Sequence, residues 1–582
     1  MRFASGLIGA LFLVSAAAGA TQRSGDIGVT ATPMVSCETK HGYREYRFTV
    51  RNYSPTQTHV VTVFLPHDVN YGRSPLSRIS RSVAVGPDAA ANVSLLQCSL
   101  GIGGDGAGFR VREERRADRT YMDVSIDQHG WGNPGNAGPV ILVSRGVVPA
   151  PNLGSPDDVT VGRAEHPVSQ WSSDWLAYTV FDGVIVAGGE MGTMPPHVRL
   201  ALVRYVECGG TLMAIGDWEP PAGWRRVESL PTEPAVYDAV FGLCIVSASG
   251  STGDISAFMA SARKTLEPWR SVEDVLDAHR KFPVVENLSV PVRGMMGLML
   301  AFVILIGPVN LLILRRTRRR VWLFWTAPAV SLLTCGLVFG YSMLSEGLQG
   351  RYRTLSLTVL DENTGRATSI GWTAFYAPLT PGEGLHFSCQ TELTPQVARP
   401  YGRYYGARNE PASARTVDWT QDQHLASGWV SARVPAHFVL RKSENRRERL
   451  TVRAGSDGRL SVVNGLGASI AKLFLVDREG RWYSAEGIPA GAATEVKAGS
   501  QILGGAPTRA GRPSLRDLYS ANWVAGIPAL HQRPADYLRP GTYLAVLEGN
   551  PFVESALPGA RPVKCETVVF GILGEQTAGS SG

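Results

Sequence analysis

The stretch from Val180 to Ile215 reads VFDGVIVAGGEMGTMPPHVRLALVRYVECGGTLMAI and contains three elements. Its first eight residues are mostly apolar, which is typical of a strand buried on both faces of a parallel sheet. Residues 195–207 then carry apolar side chains at helical spacing, at Val198, Leu202, Val203 and Val206. A second apolar run, Thr211–Ile215, follows Gly209-Gly210. This strand–helix–strand order predicts a right-handed parallel unit.

The run Val140–Val143 (VILV) before this stretch predicts another buried strand. We therefore expect an α/β domain over residues 136–290, built on a parallel sheet. Open parallel sheets bind ligands in the crevice at the carboxyl ends of their strands. The residues that follow the predicted strands form the candidate ligand crevice: Ser144, Gly188, Gly189, Glu190, Gly216, Asp217 and Trp218. The alternative interpretation is that they are turn glycines and solvated acidic residues.

Phe181–Gly189, a helix and then Gly210–Gly216 resemble the core of class I glutamine amidotransferase-like domains. The resemblance implies that the second strand ends in a sharp turn bearing a nucleophilic cysteine. That position falls at Gly216 here, and no convincing His-x-Glu pair follows downstream. Nucleophilic catalysis needs a nucleophile beside a base. The resemblance therefore implies the fold and argues against the chemistry, so we predict no catalytic residue, no cofactor and no metal site.

Two long uncharged runs follow the α/β segment. Gly294–Leu314 has 21 residues and Val321–Ser345 has 25, and a helix of about 20 residues crosses a bilayer about 30 Å thick. The loop between them carries Arg315, Arg316, Arg318, Arg319 and Arg320. The positive-inside rule places such a loop in the cytoplasm. We therefore expect a transmembrane hairpin over residues 291–345, with spans 294–314 and 321–345 and a cytoplasmic loop over 315–320.

Gly307, Pro308 and Asn310 interrupt the first of these runs. Proline frees a backbone carbonyl and asparagine is polar, so both favour a surface that faces protein. These three residues are the candidate surface for a membrane partner. Ordinary packing between the two helices is the alternative.

The first 20 residues, MRFASGLIGALFLVSAAAGA, have one arginine, an apolar run and small residues at the end. This pattern predicts a secretory signal peptide, with an uncleaved anchor as the alternative. Together with the hairpin, it predicts a bacterial inner (cell) membrane protein with two spans. The main domains would then lie on the periplasmic side.

The remaining segments predict β-structure. Tyr46–Arg51 alternates and Val60–Leu65 is rich in β-branched residues, which favours an N-terminal β-sandwich over residues 21–135. Leu355–Leu360 alternates in the same way, so we expect a C-terminal β-rich, sandwich-like domain over residues 346–582. Gly101–Gly106 matches the G-x-G-x-x-G pattern of a dinucleotide-binding site. Such a site requires a helix directly after the glycines, whereas a strand-like sequence follows here, so we interpret the segment as a glycine-rich loop.

Taken together, these segments predict a multidomain membrane protein.

The hydrophobic content of 44% and charged content of 18% fit globular domains with a modest membrane segment. The net charge is +7. Five loop arginines and the arginine of the signal account for six of these charges, which leaves the folded domains at +1. No basic face for nucleic acid is implied.

Seven cysteines are spread along the chain, and none forms a C-x-x-C pair. This spacing argues against a zinc site of the usual kind. Cys335 lies in an apolar run, and we interpret it as a small hydrophobic residue. The others suit an oxidising compartment and predict the pairs Cys37–Cys98, Cys208–Cys244 and Cys389–Cys565, with reduced buried thiols as the alternative.

The whole arrangement resembles uncharacterised bacterial inner-membrane proteins with an amidotransferase-like domain. More distantly, it is similar to auxiliary subunits of gliding-motility-type ABC transport systems. The resemblance implies partner binding without a defined reaction. We expect a non-catalytic interaction or scaffold protein of the envelope, whose partners are the lipid bilayer and a protein or glycan, and not nucleic acid. The alternatives are an envelope hydrolase or transferase with an unrecognised site, and an accessory subunit of an ABC-type transport system.

Overall fold

The structure is a computed structural model that describes residues 21–33, 41–65, 76–98, 108–113, 122–125, 138–148, 153, 159–164, 166–227, 234–270, 275–285, 292–316, 323–346, 349–396, 415–454, 459–499, 514–516 and 523–574. These residues are mostly β-sheet, with 45% in strands and 22% in helices. The strands form several sheets, and the predicted class of a multidomain membrane protein is wrong.

Eight strands precede the α/β region: β1 (Gln22–Ser24), β2 (Ile27–Pro33), β3 (Tyr43–Asn52), β4 (His59–Leu65), β5 (Leu76–Val85), β6 (Ala90–Cys98), β7 (Gly108–Glu113) and β8 (Met122–Ser125). Four of them form an antiparallel sheet in the order β1-β2-β3-β6. Along β3, Phe48 and Val50 are buried while Thr49 and Arg51 are exposed. This alternation buries one face of the sheet and leaves the other in water.

The α/β region contributes β9 (Val140–Val143), β10 (Thr160–Arg163), β11 (Gly183–Ala187), β12 (Thr211–Ile215), β13 (Arg225–Arg226), β14 (Ala235–Ala239) and β15 (Gly242–Ser247). They form one sheet in the order β10-β9-β11-β12-β15-β14-β13. The first five in this order are parallel, and β14 and β13 are antiparallel. Its helices are two short 3-10 helices, Val168–Gln170 and Trp175–Tyr178, and α1 (Gly188–Thr193), α2 (Pro196–Glu207), α3 (Thr252–Arg270) and α4 (Val275–Lys281).

The parallel strands are apolar throughout because both faces of this sheet are buried. Val184 and Val186 of β11 pack into the core that contains α2. Ile185, between them, packs into a second core with Phe258 and Ala262 of α3. The strand–helix–strand elements of residues 180–215 thus lie where the sequence pattern places them.

The chain after the helical segment supplies β16 (Arg351–Asp361), β17 (Arg366–Tyr376), β18 (Leu385–Phe387), β19 (Thr391–Gln396), β20 (Arg415–Asp418), β21 (Gln423–Ser427), β22 (Ala436–Asn445), β23 (Arg449–Ala454), β24 (Leu460–Gly465), β25 (Ser469–Val476), β26 (Trp482–Ile488), β27 (Ala493–Glu495), β28 (Lys497–Ala498), β29 (Thr542–Glu548) and β30 (Arg561–Ile572). A nine-stranded sheet has the order β19-β22-β17-β16-β30-β29-β25-β26-β28, and β23-β24-β27 form a small sheet. Two short helices, Trp523–Leu530 and Pro534–Tyr537, precede β29.

The remaining sheet, which we call the interleaved sheet, has the order β18-β21-β20-β5-β4-β7-β8. Its two halves join where β20 runs parallel to β5, with Val417 beside Ile79. It shares one hydrophobic core with the four-stranded sheet. The predicted N-terminal sandwich is therefore not built from residues 21–135 alone, because strands from residues 385–427 complete its second sheet.

The predicted transmembrane hairpin is also corrected. By length and apolar character, none of the helices in the described ranges could cross a membrane. The spans 294–314 and 321–345 and the inner-membrane location with two spans that depended on them are therefore wrong. Contact with the lipid bilayer stays a prediction.

The first apolar run fails as a span because it is not one helix. It divides into α5 (Val292–Ile304), a π-helical turn over Leu305–Val309 and α6 (Asn310–Arg316). Pro308 lies in the turn, where its missing N–H cannot continue the α-helical hydrogen bonds. The described part of the second run lies in α7 (Leu323–Glu346), a continuous helix that contains Pro328 and the polar residues Thr326, Ser331 and Thr334. An uncharged run in a sequence does not show the division that the structure has in the first run.

Asn310 faces α7, since its side-chain amide donates to Thr326 Oγ1 at 3.0 Å. This contact favours the helix-packing alternative for the polar residue of the hairpin. Gly307 and Pro308 lie in the π-helical turn. Arg315 and Arg316 end α6. Arg318, Arg319, Arg320, the predicted signal peptide and the loop Gly101–Gly106 lie outside the described residues.

Candidate functional site

The carboxyl ends of the parallel strands meet along one edge of the α/β sheet. Ala187 of β11 lies beside Ile215 of β12, and Ile215 lies beside Ser247 of β15. β9 pairs with the other side of β11. The residues of the predicted crevice lie along this edge, and the structure brings two groups of them together: Ser144 with Glu190, and Gly188 with Gly216 and Asp217.

Ser144 and Glu190 hold the loop after β9. The fully buried Ser144 hydroxyl donates to Glu190 Oε2 at 2.5 Å and accepts from the N–H of Ala187 at 3.2 Å. The other carboxylate oxygen, Oε1, accepts from the N–H of Gly146 at 3.1 Å. Both oxygens of Glu190 therefore have structural partners.

Gly188 and Gly216 allow the ends of β11 and β12 to approach each other. A Cβ atom on Gly188 would lie 2.8 Å from the backbone oxygen of Asp217. Gly216 has a φ of +107°, which L-residues rarely adopt, and its N–H donates to Ser247 O at 2.9 Å. The turn after β12 is thus occupied by a glycine that the backbone conformation favours. Gly189 is exposed, with open space around it.

Asp217 and Trp218 are the crevice residues that offer an acidic and an aromatic group to solvent. Asp217 is exposed, and Trp218 is half-buried. The indole of Trp218 packs edge-to-face on Trp224, with centroids 6.3 Å apart and planes at 75°. Trp224 in turn donates through Nε1 to Glu207 Oε1 at 3.3 Å. Trp218 is therefore held on a fixed support.

Sequence reasoning missed a second polar pair at the same edge. The buried Ser247 hydroxyl donates to Asp254 Oδ2 at 2.6 Å and accepts from the N–H of Gly250 at 2.8 Å. Ser251 and Asp254 also exchange hydrogen bonds at the start of α3, through Ser251 Oγ and Asp254 Oδ2. The spacing Ser251-x-x-Asp254 before an amphipathic helix was the available signal.

The described residues at the carboxyl edge of the α/β sheet do not form a nucleophile–base pair. Ser144 and Ser247 are buried and bound to carboxylates, and in the described part of the chain neither is hydrogen-bonded to a histidine or lysine. Cys208 caps α2, and burial raises the pKa of its thiol well above the ordinary value. A reactive thiolate is therefore disfavoured there. Among the described residues, no group of three or more His, Cys, Asp or Glu side chains could hold a metal ion.

The predicted disulfides are absent where the structure describes both cysteines. Cys208 and Cys244 are buried and are not joined in a disulfide, and neither are Cys389 and Cys565. The pairs 208–244 and 389–565 are therefore wrong, because different surroundings hold each thiol. Cys389 donates to Gln421 O, for example, whereas Cys565 contacts Tyr352. Cys98 is free, and Cys37 lies outside the described residues.

A small cavity lies between β3 and the 3-10 helices of the α/β region, away from the strand ends. Its polar lining is engaged: Glu45 accepts from Ser172 Oγ at 3.0 Å and from Arg47 Nε at 3.1 Å. Asp174, beside it, caps the helix Trp175–Tyr178 by accepting from the N–H of Leu176 at 3.0 Å. Burial raises the pKa of the Asp174 carboxyl to about 7. The region is a buried polar junction and offers no free polar group of Glu45 to a ligand.

No protein-family model matches this sequence, and no curated protein is similar to it. Among solved structures, a cycloisomaltooligosaccharide glucanotransferase of Paenibacillus sp. is 13% identical over 32% of this chain and 28% of its own, with a TM-score of 0.14. A beta-glucosidase from Kluyveromyces marxianus is 7% identical over 79% of this chain and 44% of its own, with a TM-score of 0.09. The chain thus spans less than half the length of either protein, and neither likeness indicates a shared fold.

Proposed function

We propose that this protein is a non-catalytic binding protein, and that the crevice at the carboxyl edge of its parallel sheet binds a protein or glycan partner. One observation carries the proposal. The turn after β12 presents Gly216, which has no attacking atom, and its positive φ favours glycine at that position. Covalent catalysis at this turn would require a thiol or hydroxyl.

The hydroxyl groups at the edge support the same conclusion. Ser144 and Ser247 each donate to a carboxylate at 2.5 and 2.6 Å, and both are fully buried. A substrate could reach neither oxygen without disrupting the loops that these bonds hold. Their arrangement stabilises the edge.

The groups left for a partner are Asp217 and Trp218. An aromatic side chain with one accessible part and an adjacent carboxylate suits a partner that combines an apolar face with a hydrogen-bond donor. Both a protein loop and a sugar ring have this combination. The support beneath Trp218, through Trp224 and Glu207, reduces the entropy lost when a partner binds.

The likeness to class I glutamine amidotransferase-like domains is part of this proposal. It depends on the order of strand, Gly-Gly, helix and strand in residues 181–216, and on the turn that ends it. The departure at Gly216 makes the chain an inert relative. Its binding role would then use the crevice without the reaction.

The experiment compares purified full-length wild type with Asp217→Asn, Trp218→Ala and a matched control, Glu495→Gln, whose side chain is exposed on another sheet. We expect no turnover of amide, ester or glycoside substrates by any of the four proteins. A partner that co-purifies with wild type should be retained by the control and lost by the two crevice variants, with circular dichroism unchanged.

Two results would overturn the proposal. Turnover by wild type that disappears in Ser144→Ala or Glu190→Gln would make the edge an active site. A partner retained equally by Asp217→Asn, Trp218→Ala and wild type would place binding on another surface.

A further inference from the structure

Two histidines contact each other between α4 and the nine-stranded sheet. His279 lies on α4 and His437 on β22, and their ring centroids are 5.6 Å apart with planes at 68°. His437 is only 1% exposed, whereas His279 is half-buried. The pair therefore connects a buried position with one that solvent can approach.

Three nitrogens of these two rings lack partners. Neither ring nitrogen of His437, nor Nδ1 of His279, has a hydrogen-bond partner among the described residues. A neutral imidazole carries one donor and one acceptor, and nearly all such buried groups in proteins are paired. Three nitrogens on two contacting rings are thus not used by hydrogen bonds within the described residues.

The wall around the pair is mostly apolar. Trp372 meets His437 edge-to-face at 6.2 Å, and Phe282 stacks on Trp372 at 5.6 Å. Arg353 also packs on this wall: its guanidinium lies over Phe282 at 4.3 Å and donates to Pro283 O at 2.9 Å. Its guanidinium is thus already engaged by the segment that follows α4.

We propose that His279 and His437 form a two-imidazole site for a borderline divalent cation of the zinc class. Imidazole nitrogen is a preferred ligand of such cations. Two imidazoles on one tetrahedral zinc, with Zn–N of about 2.0–2.1 Å, have ring centroids roughly 5–5.5 Å apart. The observed 5.6 Å is close to this spacing. Solvent supplies the remaining ligands from the side of His279.

The hydrogen-bond pattern of the two rings leaves nitrogen atoms available to a cation. The ring of His279 makes one hydrogen bond, to the backbone of Val285. Because Nδ1 of His279 is unpaired, that bond uses Nε2, so the Nδ1 lone pair is free for a cation.

The sequence predicted no metal site, and the proposed cation site differs from the proposed binding crevice. It has two protein ligands, so it differs from the three-ligand clusters that are absent from the described residues. With only two protein ligands, we expect weaker zinc binding than at a structural four-ligand site. Occupation would connect α4 to β22 and stabilise the contact between them.

The test measures zinc binding to the full-length protein by calorimetry, with Mg²⁺ as the control cation. Wild type should bind one Zn²⁺ at this site, and its melting temperature should rise with Zn²⁺ but not with Mg²⁺. His279→Ala should lose at least tenfold in affinity and most of the shift. The matched control is His386→Ala. His386 belongs to a second pair of contacting histidines, in which its ring stacks on that of His424 with centroids 4.1 Å apart. This variant should retain the zinc affinity and the melting-temperature shift of wild type.

A variant at the buried position could fail to fold, so the half-buried His279 decides the question. A second measurement uses Cu²⁺, which should quench the fluorescence of the adjacent Trp372; the quenching should be smaller in Trp372→Phe and in His279→Ala. Absence of zinc binding by wild type would overturn the proposal and leave water as the occupant. Equal affinity in wild type and His279→Ala would overturn it too.

Discussion

The α/β sheet and the interleaved sheet are assembled in opposite ways. In the α/β sheet, β11 and β12 follow each other with only α1 and α2 between them, and they pair directly. In the interleaved sheet, β5 pairs with β20 across the whole α/β region and the helices α5–α7. Ser82 N–H even donates to Thr420 Oγ1, 338 residues away. The α/β region is therefore placed in the chain between two halves of one sheet.

This difference indicates where stability depends on distant residues. A strand–helix–strand unit can form from residues that are close in the sequence. The interleaved sheet can form only when two distant parts of the chain meet, which carries the entropy cost of closing a long loop. Buried polar contacts join the α/β region to the four-stranded and nine-stranded sheets. The N–H of Tyr43 on β3 donates to Thr179 Oγ1 at 2.9 Å, and Arg441 on β22 donates to Cys208 O at 3.2 Å. We expect changes at these contacts to cost more than changes at the crevice.

The largest effect should come from breaking the buried ion pair of Arg441 and Glu392. Their side chains are 1% and 2% exposed, and Arg441 Nη2 donates to Glu392 Oε1 at 2.6 Å. Arg441→Met leaves an unpaired buried carboxylate, which should lower the free energy of unfolding by about 3–5 kcal/mol. Chemical denaturation measures this change.

The matched control is Arg459→Met, because Arg459 pairs with Glu495 on the surface, where the side chains are 69% and 67% exposed. An exposed pair contributes about 0–1 kcal/mol. The double variant Arg441→Met/Glu392→Leu should recover much of the loss, since no buried charge remains unpaired. Equal losses for Arg441→Met and Arg459→Met would contradict the importance of this junction.

The second effect depends on pH and concerns Asp174, at the contact between the α/β region and β3. Burial raises the pKa of its carboxyl from 3.8 to about 7, so the folded protein keeps a proton that the unfolded chain releases. The stability that this group contributes is therefore complete below about pH 4 and declines as the pH rises towards 7, by on the order of 4 kcal/mol.

Asp174→Asn removes the titration but keeps an oxygen that can accept from the N–H of Leu176. Urea midpoints of wild type and variant should agree near pH 4 and differ near pH 8, where the variant should be more stable. If the urea midpoints of wild type and variant changed equally with pH over this range, the Asp174 carboxyl would not stay protonated in the folded protein.

The sequence indicated the local part of this fold well. The apolar strand, the amphipathic helix and the turn at Gly216 each have a signal within residues 180–216, and the structure places β11, α2 and β12 there. The pairing of β5 with β20 has no such signal, because the two strands are far apart in the chain and neither sequence identifies its partner. Glu392 and Arg441 look like surface charges until the fold brings them together. An uncharged run was likewise mistaken for a membrane span, since hydropathy does not show where a helix divides.

The candidate site shows the same limit. The sequence placed seven residues at the strand ends, but the roles of Ser144 and Glu190 depend on a loop geometry that no motif encodes. Ser247 was missed because nothing marks β15 as the next parallel strand beside β12. Strand order in a sheet is a tertiary property, and only the first two strands of this edge follow each other in a recognisable unit.

A third, smaller effect should follow Tyr43→Phe. The buried Tyr43 hydroxyl accepts from the N–H of Leu393 at 3.1 Å and from Gln423 Nε2 at 2.5 Å. Its loss leaves two buried donors without this acceptor, at a cost of about 2 kcal/mol. The control is Tyr46→Phe on the same strand, whose hydroxyl bonds Gln97 within one sheet at 3.0 Å. Denaturation should show the larger loss for Tyr43→Phe, and a reversed order would contradict the comparison.

The smallest effect should come from the crevice itself, with Ser144→Ala. The change removes the hydrogen bond to Glu190 and the acceptor for the N–H of Ala187, and it should cost about 1 kcal/mol. Since both bonds lie within one edge of a locally assembled sheet, the disturbance should stay there. Hydrogen exchange should accelerate in residues 144–147 and 187–190 and remain unchanged in β5 and β20. Faster exchange in β5 and β20 would show instead that the α/β edge and the interleaved sheet unfold as one unit, which would remove the distinction between the two regions.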